Sequence, residues 1–197
     1  MHLKQKTIFI FIISLLFTIG LTSCESESFP KPKGYCRIDL PVKKYQHYDS
    51  PYLYTFDYPV YSKIIDYKTD SCWINIIFPT LNGKIHISYK NVKHNIAKHL
   101  EDARTLAYKH TIKADAIGET PYYNNEKKVY GILYEIKGNA ASSLQFFLTD
   151  STEHFIRGAL YFEARPNKDS LAPVIDFLKK DVIHLIETLE WQQPKAK

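Results

Sequence analysis

Three kinds of side chain in this sequence could do chemistry: cysteine thiols, histidines, and a crowd of serines and carboxylates in the second half. The thiol with the strongest context is Cys24, in Leu21-Thr22-Ser23-Cys24. A short basic start (Lys4, Lys6) and an apolar stretch from Ile8 to Ile19 precede it. Charge, apolar run and small residues in that order make a secretory leader. A cysteine directly after the small residues makes it a lipobox. The chemistry is thioether formation: the sulfur takes up diacylglycerol, a peptidase cuts before Cys24, and the new amino group is acylated. Each buried methylene contributes ~0.8 kcal/mol, so several chains together hold firmly. Two other readings use the same residues: an ordinary leader with a chance cysteine, and an uncleaved anchor. The apolar run is about 12 residues, short for a span of ~20.

Two further thiols, Cys36 and Cys72, would lie outside the reducing cytoplasm and could pair. Closing that loop would contribute about 4 kcal/mol in the chain-entropy model. The alternative is two buried thiols, and no Cys-x-x-Cys spacing supports a redox role. The eight histidines do not assemble by spacing. His94 and His99 do not share a helix face, and His99 and His110 are three turns apart, ~16 Å by helix rise. No His-Glu-x-x-His motif or calcium loop occurs, so no metal is expected. Ser142, Ser143, Asp150, Ser151 and His154 invite a triad reading, yet a triad is defined by geometry rather than local crowding. The Gly-x-Ser-x-Gly elbow is missing, as are phosphate loops and dinucleotide fingerprints. We therefore expect no catalytic residue and no cofactor.

Three segments remain unusual. Gly138-Asn139-Ala140-Ala141-Ser142 is a small-residue turn feeding a strand that contains Gln145. The run His110–Ala116 leaves a helix with regularly placed polar groups. Asp150-Ser151-Thr152 with His154-Phe155 closes a hairpin. One reading makes these a polar patch at one end of a sheet, with Asn139, Gln145, Asp150 and His154 facing a partner. The other makes them turn chemistry plus one satisfied histidine.

The elements that must position these residues follow from periodicity. Removing residues 1–23 leaves 174, long enough for one well-formed core and short for two. Residues 24–34, with Pro30-Lys31-Pro32-Lys33-Gly34, read as a stiff tether, and 35–197 as one domain, irregular as far as Tyr48. Fifteen tyrosines and 11 phenylalanines favour a β-rich body. Strands are expected at 52–58, 61–67, 72–78 and 84–90. A helix from Ile96 to His110 comes next. Four more strands follow at 114–122, 128–136, 142–149 and 155–164. A long amphipathic helix closes the chain, with Leu171, Val174, Ile175, Leu178, Val182, Leu185, Ile186 and Leu189 on its apolar face. Asp169 or Ser170 would cap it. The order β4-α-β4-α lacks β-α-β alternation, which excludes a parallel sheet. The expected class is α+β: a mostly antiparallel sheet with two packed helices, in an order similar to the PsbP-like fold. Without Lys4 and Lys6 the net charge falls from +5 to about +3, too mild for a nucleic-acid partner.

The residues also carry a resemblance. The lipobox, Arg37-Ile38-Asp39-Leu40-Pro41, the His110–Ala116 run, Gly138–Ser142, Gln145-Phe146, Thr149–Phe155, Gly158–Phe162 and the stretch from Pro166 to Pro173 resemble the gliding-motility lipoprotein GldD family. The likeness runs over nearly all of the chain after Cys24. It implies a lipid-anchored cell-envelope protein required for gliding, tied to the machinery that moves surface adhesins and to type IX secretion. It implies no catalytic activity, and envelope proteins of that machinery as partners. Cys36 is not part of the family pattern. Glu25 follows the cysteine where an inner-membrane lipoprotein commonly has aspartate, which favours the outer membrane. A periplasmic ligand- or glycan-binding lipoprotein, with aromatics as stacking surfaces, is the competing reading.

Overall fold

Alternation of side chains builds the main sheet. In the strand Gly83–Asn91, Ile85, Ile87 and Tyr89 are buried while His86 and Lys90 are exposed. A strand of that pattern needs a core on one side and tolerates water on the other. The computed structural model describes residues 38–66 and 72–193, and residues from Arg37 onward pack as one unit. The strands are β1 (Tyr45–Tyr48), β2 (Tyr54–Pro59), β3 (Lys63–Asp66), β4 (Ile74–Phe78), β5 (Gly83–Asn91), β6 (Ala114–Asn124), β7 (Val129–Gly138), β8 (Ser142–Thr149), β9 (His154–Phe162) and β10 (Glu190–Trp191). The helices are α1 (Ile96–Tyr108) and α2 (Lys168–Thr188).

Seven strands form one sheet in the order β3-β4-β5-β9-β8-β7-β6, and β1-β2-β10 form a small second one. Every pairing is antiparallel. The fold is therefore α+β, with two α-helices among the described residues on a mostly antiparallel framework. The large sheet has two different faces. One carries Ile74, Ile76, Ile85, Ile87, Phe146, Leu148 and Leu160 into the main core, where Val174, Leu178, Val182 and Leu185 of α2 and Tyr54 and Phe56 of β2 complete it. The other face holds a smaller cluster, in which Ala103 and Ala107 of α1 meet Tyr134, Phe147 and Phe155. Gly158 gives the main core a tight fit against an aromatic ring. A Cβ there would sit 2.2 Å from the Phe146 ring, so the absent side chain is the space that the ring fills.

The structure corrects the expected order in three places. Tyr45–Tyr48 is a strand rather than irregular chain, and Glu190–Trp191 adds another. Both are two to four residues long and exist because each pairs with β2, a cause that no local period records. The cap of α2 is Asn167, whose side chain accepts from the Ser170 N–H at 3.3 Å. Asp169 and Ser170 already lie inside the first turn. Pro173 is the sixth residue of α2, beyond its first turn, so the Asp169 carbonyl lacks its helical donor. Of the apolar face expected for the last helix, Val174, Leu178, Val182, Leu185 and Ile186 are buried, Leu171 and Ile175 are half-buried, and the buried Leu189 is the residue that caps the helix end.

Candidate functional site

Asp150 closes the β8–β9 hairpin. Its Oδ1 accepts from the N–H groups of Thr152, Glu153 and His154 at 2.8–3.0 Å, and Oδ2 accepts from the Thr152 hydroxyl. Burial alone would raise its pKa, but these donors outweigh it and hold the carboxyl below its ordinary range. His154 is buried on the main-core side. Its Nδ1 lies 2.8 Å from the Tyr89 hydroxyl, and its ring stacks on Trp191 at 5.0 Å. Both residues thus serve the hairpin and the core. Gln145 sits mid-strand and is 1% exposed, on the face that carries α1. Asn139 lies in the β7–β8 turn, at the far end of β8 from Asp150. Eight strand residues separate the two ends by ~25 Å. The four candidates therefore do not form one patch. An antiparallel hairpin places the turn before a strand and the turn after it at opposite ends.

What the structure does bring together is the region around Asn139. The Asn139 N–H donates to the Lys113 carbonyl at 3.1 Å, and its Oδ1 accepts from the Lys168 N–H at 3.0 Å. Lys168 Nζ in turn reaches Asp115 Oδ2 at 2.6 Å. One asparagine thereby joins the entry to β6, the β7–β8 turn and the start of α2. Gly138 allows the approach. Its φ is +113°, and a Cβ would stand 2.7 Å from the Asp115 nitrogen. A groove of about 380 Å³ opens beside this junction, with Leu144, Ala172 and Ile175 in its lining and Asp115, Glu135 and Lys179 among its charged residues. Glu135 and Lys179 pair across it at 2.7 Å. Hydrogen bonding to Asp115 raises the Lys168 pKa, so this cation is fixed. The groove offers paired charges around apolar side chains.

Sequence reading missed a second polar cluster. Asp181, on the buried side of α2, accepts from Lys43 Nζ at 2.6 Å, from the Tyr61 hydroxyl at 2.6 Å and from the Tyr45 hydroxyl at 3.0 Å. Lys43 Nζ also donates to the Phe177 carbonyl and lies 3.3 Å from the Phe177 ring centroid. Burial lowers the Lys43 pKa against the pull of Asp181. Burial and the Asp181 bond push Tyr45 up to about 12. This clamp ties the segment entering β1 to α2. A hint was present: position 181 falls with 174, 178 and 185 on the apolar stripe, and an acid there requires a buried partner.

Cys72 is half-buried with a free thiol, and burial raises its pKa. Cys24 and Cys36 lie outside the described residues. Among the described residues no helix is long and apolar enough to cross a membrane. The family model described as gliding motility lipoprotein GldD matches residues 25–191. The chain belongs to that family. The GldD match takes in the whole Asn139 junction, the groove beside it and the Lys43–Asp181 clamp. No curated protein matches the chain.

Proposed function

We propose that this GldD-family chain is a lipid-anchored, non-enzymatic component or assembly factor of the gliding and type IX secretion machinery, and that it docks an envelope partner at the groove beside α2. The anchor is Cys24, with the outer membrane as the favoured location. The observation that carries the docking reading is the junction at Asn139. There three separated runs, 110–116, 138–142 and 166–173, meet through hydrogen bonds from one side chain and its backbone. A partner's backbone can approach small residues, and charged rims select by complementarity. The Lys43–Asp181 clamp supports the same reading, because it fixes the anchored end of the chain to the body that would carry the load.

The experiment is a double reversal, Lys168→Glu with Lys179→Glu, expressed in cells lacking the native gene. Each reversal sets like charges beside Asp115 and Glu135, but both lysines are partly exposed and water screens them, so the purified variant should lose some stability and remain folded. Gliding should be lost, and in-cell cross-links from this face to envelope proteins should disappear. A stable variant that glides normally removes the groove from the account.

A further inference from the structure

On the second face of the large sheet, helix α1 lies over β8 and β9. Beyond it, among the described residues, no helix covers that face across β5, β4 and β3. The alternation places Arg157 and Tyr161 of β9, Lys84, His86, Ser88 and Lys90 of β5, Asn75 of β4 and Lys63 of β3 on it. No Asp or Glu occupies a position on this face of those four strands. Glu163, which follows β9, pairs with Lys84 at 3.0 Å. A cleft of about 290 Å³ lies here, with Asn75, His86, Ser88 and Arg157 in its lining and the half-exposed Trp73 at its edge.

Arg157 is the unusual member. It is half-buried, and among the described residues no carboxylate stands within ion-pair distance of it. Burial lowers its pKa, with the Tyr161 hydroxyl as the compensating neighbour. A partly desolvated guanidinium without a counter-charge is costly. Its described side-chain partner is neutral: Nη2 donates to Gln145 Oε1. Gln145 is itself 1% exposed, and among the described residues its Nε2 has no acceptor. One side therefore holds a cation lacking an anion, and beside it a buried N–H₂ group lacks an acceptor. An anion in the cleft would meet the guanidinium, while Gln145, which is not in the cleft's lining, holds that guanidinium from behind.

We infer that Arg157 is the centre of an oxyanion site, taking a carboxylate or phosphate group in the cleft between β4, β5 and β9, with Ser88 as flanking hydroxyl and Gln145 as the group that holds the guanidinium. The planar fork of an arginine matches either anion with two parallel hydrogen bonds. His86 adds a hydrogen-bonding ring on the Asn75 side, and partial desolvation and Lys84 lower its pKa. The inference goes beyond the docking groove, which lies on the opposite face of the sheet with α2, and stands or falls independently of it.

The test uses the full chain in detergent, titrated calorimetrically at fixed ionic strength with inorganic phosphate, acetate, and the blocked tripeptide acetyl-Gly-Glu-Gly-amide. At least one should bind saturably, and Arg157→Gln should weaken it at least tenfold. Ser88 stands opposite Arg157 in the β5–β9 register. Ser88→Asp places a carboxylate beside the guanidinium, so it should raise the melting temperature and abolish binding. That variant decides the matter if Arg157→Gln does not fold. Binding of phosphate or acetate identifies a free anion as the occupant. Binding of the tripeptide alone identifies a carboxylate on a polypeptide. No saturable binding of any probe, or unchanged binding by Ser88→Asp, overturns the inference.

Discussion

His99 shows how much a single residue can hide from sequence. It sits on α1 at 8% exposure, 5.3 Å from the Phe155 ring, and among the described residues neither ring nitrogen has a hydrogen-bond partner. An unpaired buried polar group costs about 1–3 kcal/mol. His99→Leu should therefore raise stability by about 1 kcal/mol, some 2–4 °C in Tm. The pH dependence has a definite sign. Burial lowers the His99 pKa below its ordinary 6.5, so between that value and the folded one the unfolded chain binds more protons. Stability then falls as pH drops through 6.5, and the penalty is complete below the folded pKa. His86 and His110 are lowered too, chiefly by burial, and act in the same direction. Melting curves at pH 7.5 and 5 should show a smaller difference for His99→Leu than for the parent; an equal difference would mean that His99 titrates in water. At this scale the sequence was read well where chemistry is local. Asp150-Ser151-Thr152 was legible as turn chemistry because an Asx carboxylate bonds its own next residues. It was read poorly where a side chain's partner is remote, as with Gln145 and Arg157, which lie on different strands.

At the scale of elements, legibility followed period length. The α2 stripe and the alternation of β5 were readable because each repeats several times within one segment. β1 and β10 were not, since their few residues become strands only by pairing with β2. Lys43 was invisible for the same reason. It lies in chain without a period, yet it holds a carboxylate 138 residues away. Removing one partner of a buried ion pair costs about 3–5 kcal/mol. The Lys43 side chain keeps 26% of its exposure, so water can replace part of the lost bond. We expect Lys43→Ala to cost about 2–3 kcal/mol, below the full range for that reason. Lys43→Met combined with Asp181→Asn removes both charges and leaves an acceptor for Tyr45 and Tyr61. It should recover much of the loss in thermal melts. A double variant no better than Lys43→Ala would show that the pair's charge is not what matters.

At the scale of the whole molecule, the question is how an anchored chain presents its body. The α+β class was legible from the order of elements. The convergence at Asn139 was not, because it depends on which strand ends meet in three dimensions, and sequence adjacency had suggested a different grouping. The family match begins at residue 25, one residue after the proposed lipid-bearing cysteine. The residues from Arg37 onward pack as their own unit, with a core closed by α2 and β2. Anchoring and folding should therefore separate cleanly. Cys24→Ser removes the thiol that the lipobox requires. Labelled fatty acid should no longer enter the protein, and the chain should leave the tightly membrane-bound fraction, since acyl burial at ~0.8 kcal/mol per methylene is the proposed hold. The melting temperature of the body should stay within about 2 °C, because the described core is built from residues after Cys24 and the change itself is small. Gliding should fail even so, since a body released from its membrane cannot hold a partner against it. Fatty-acid labelling that survives Cys24→Ser would place the lipid elsewhere. Normal gliding by the unlabelled variant would mean that the body works without its tether, and the Lys43–Asp181 clamp would then be a stabilising feature with no load to carry.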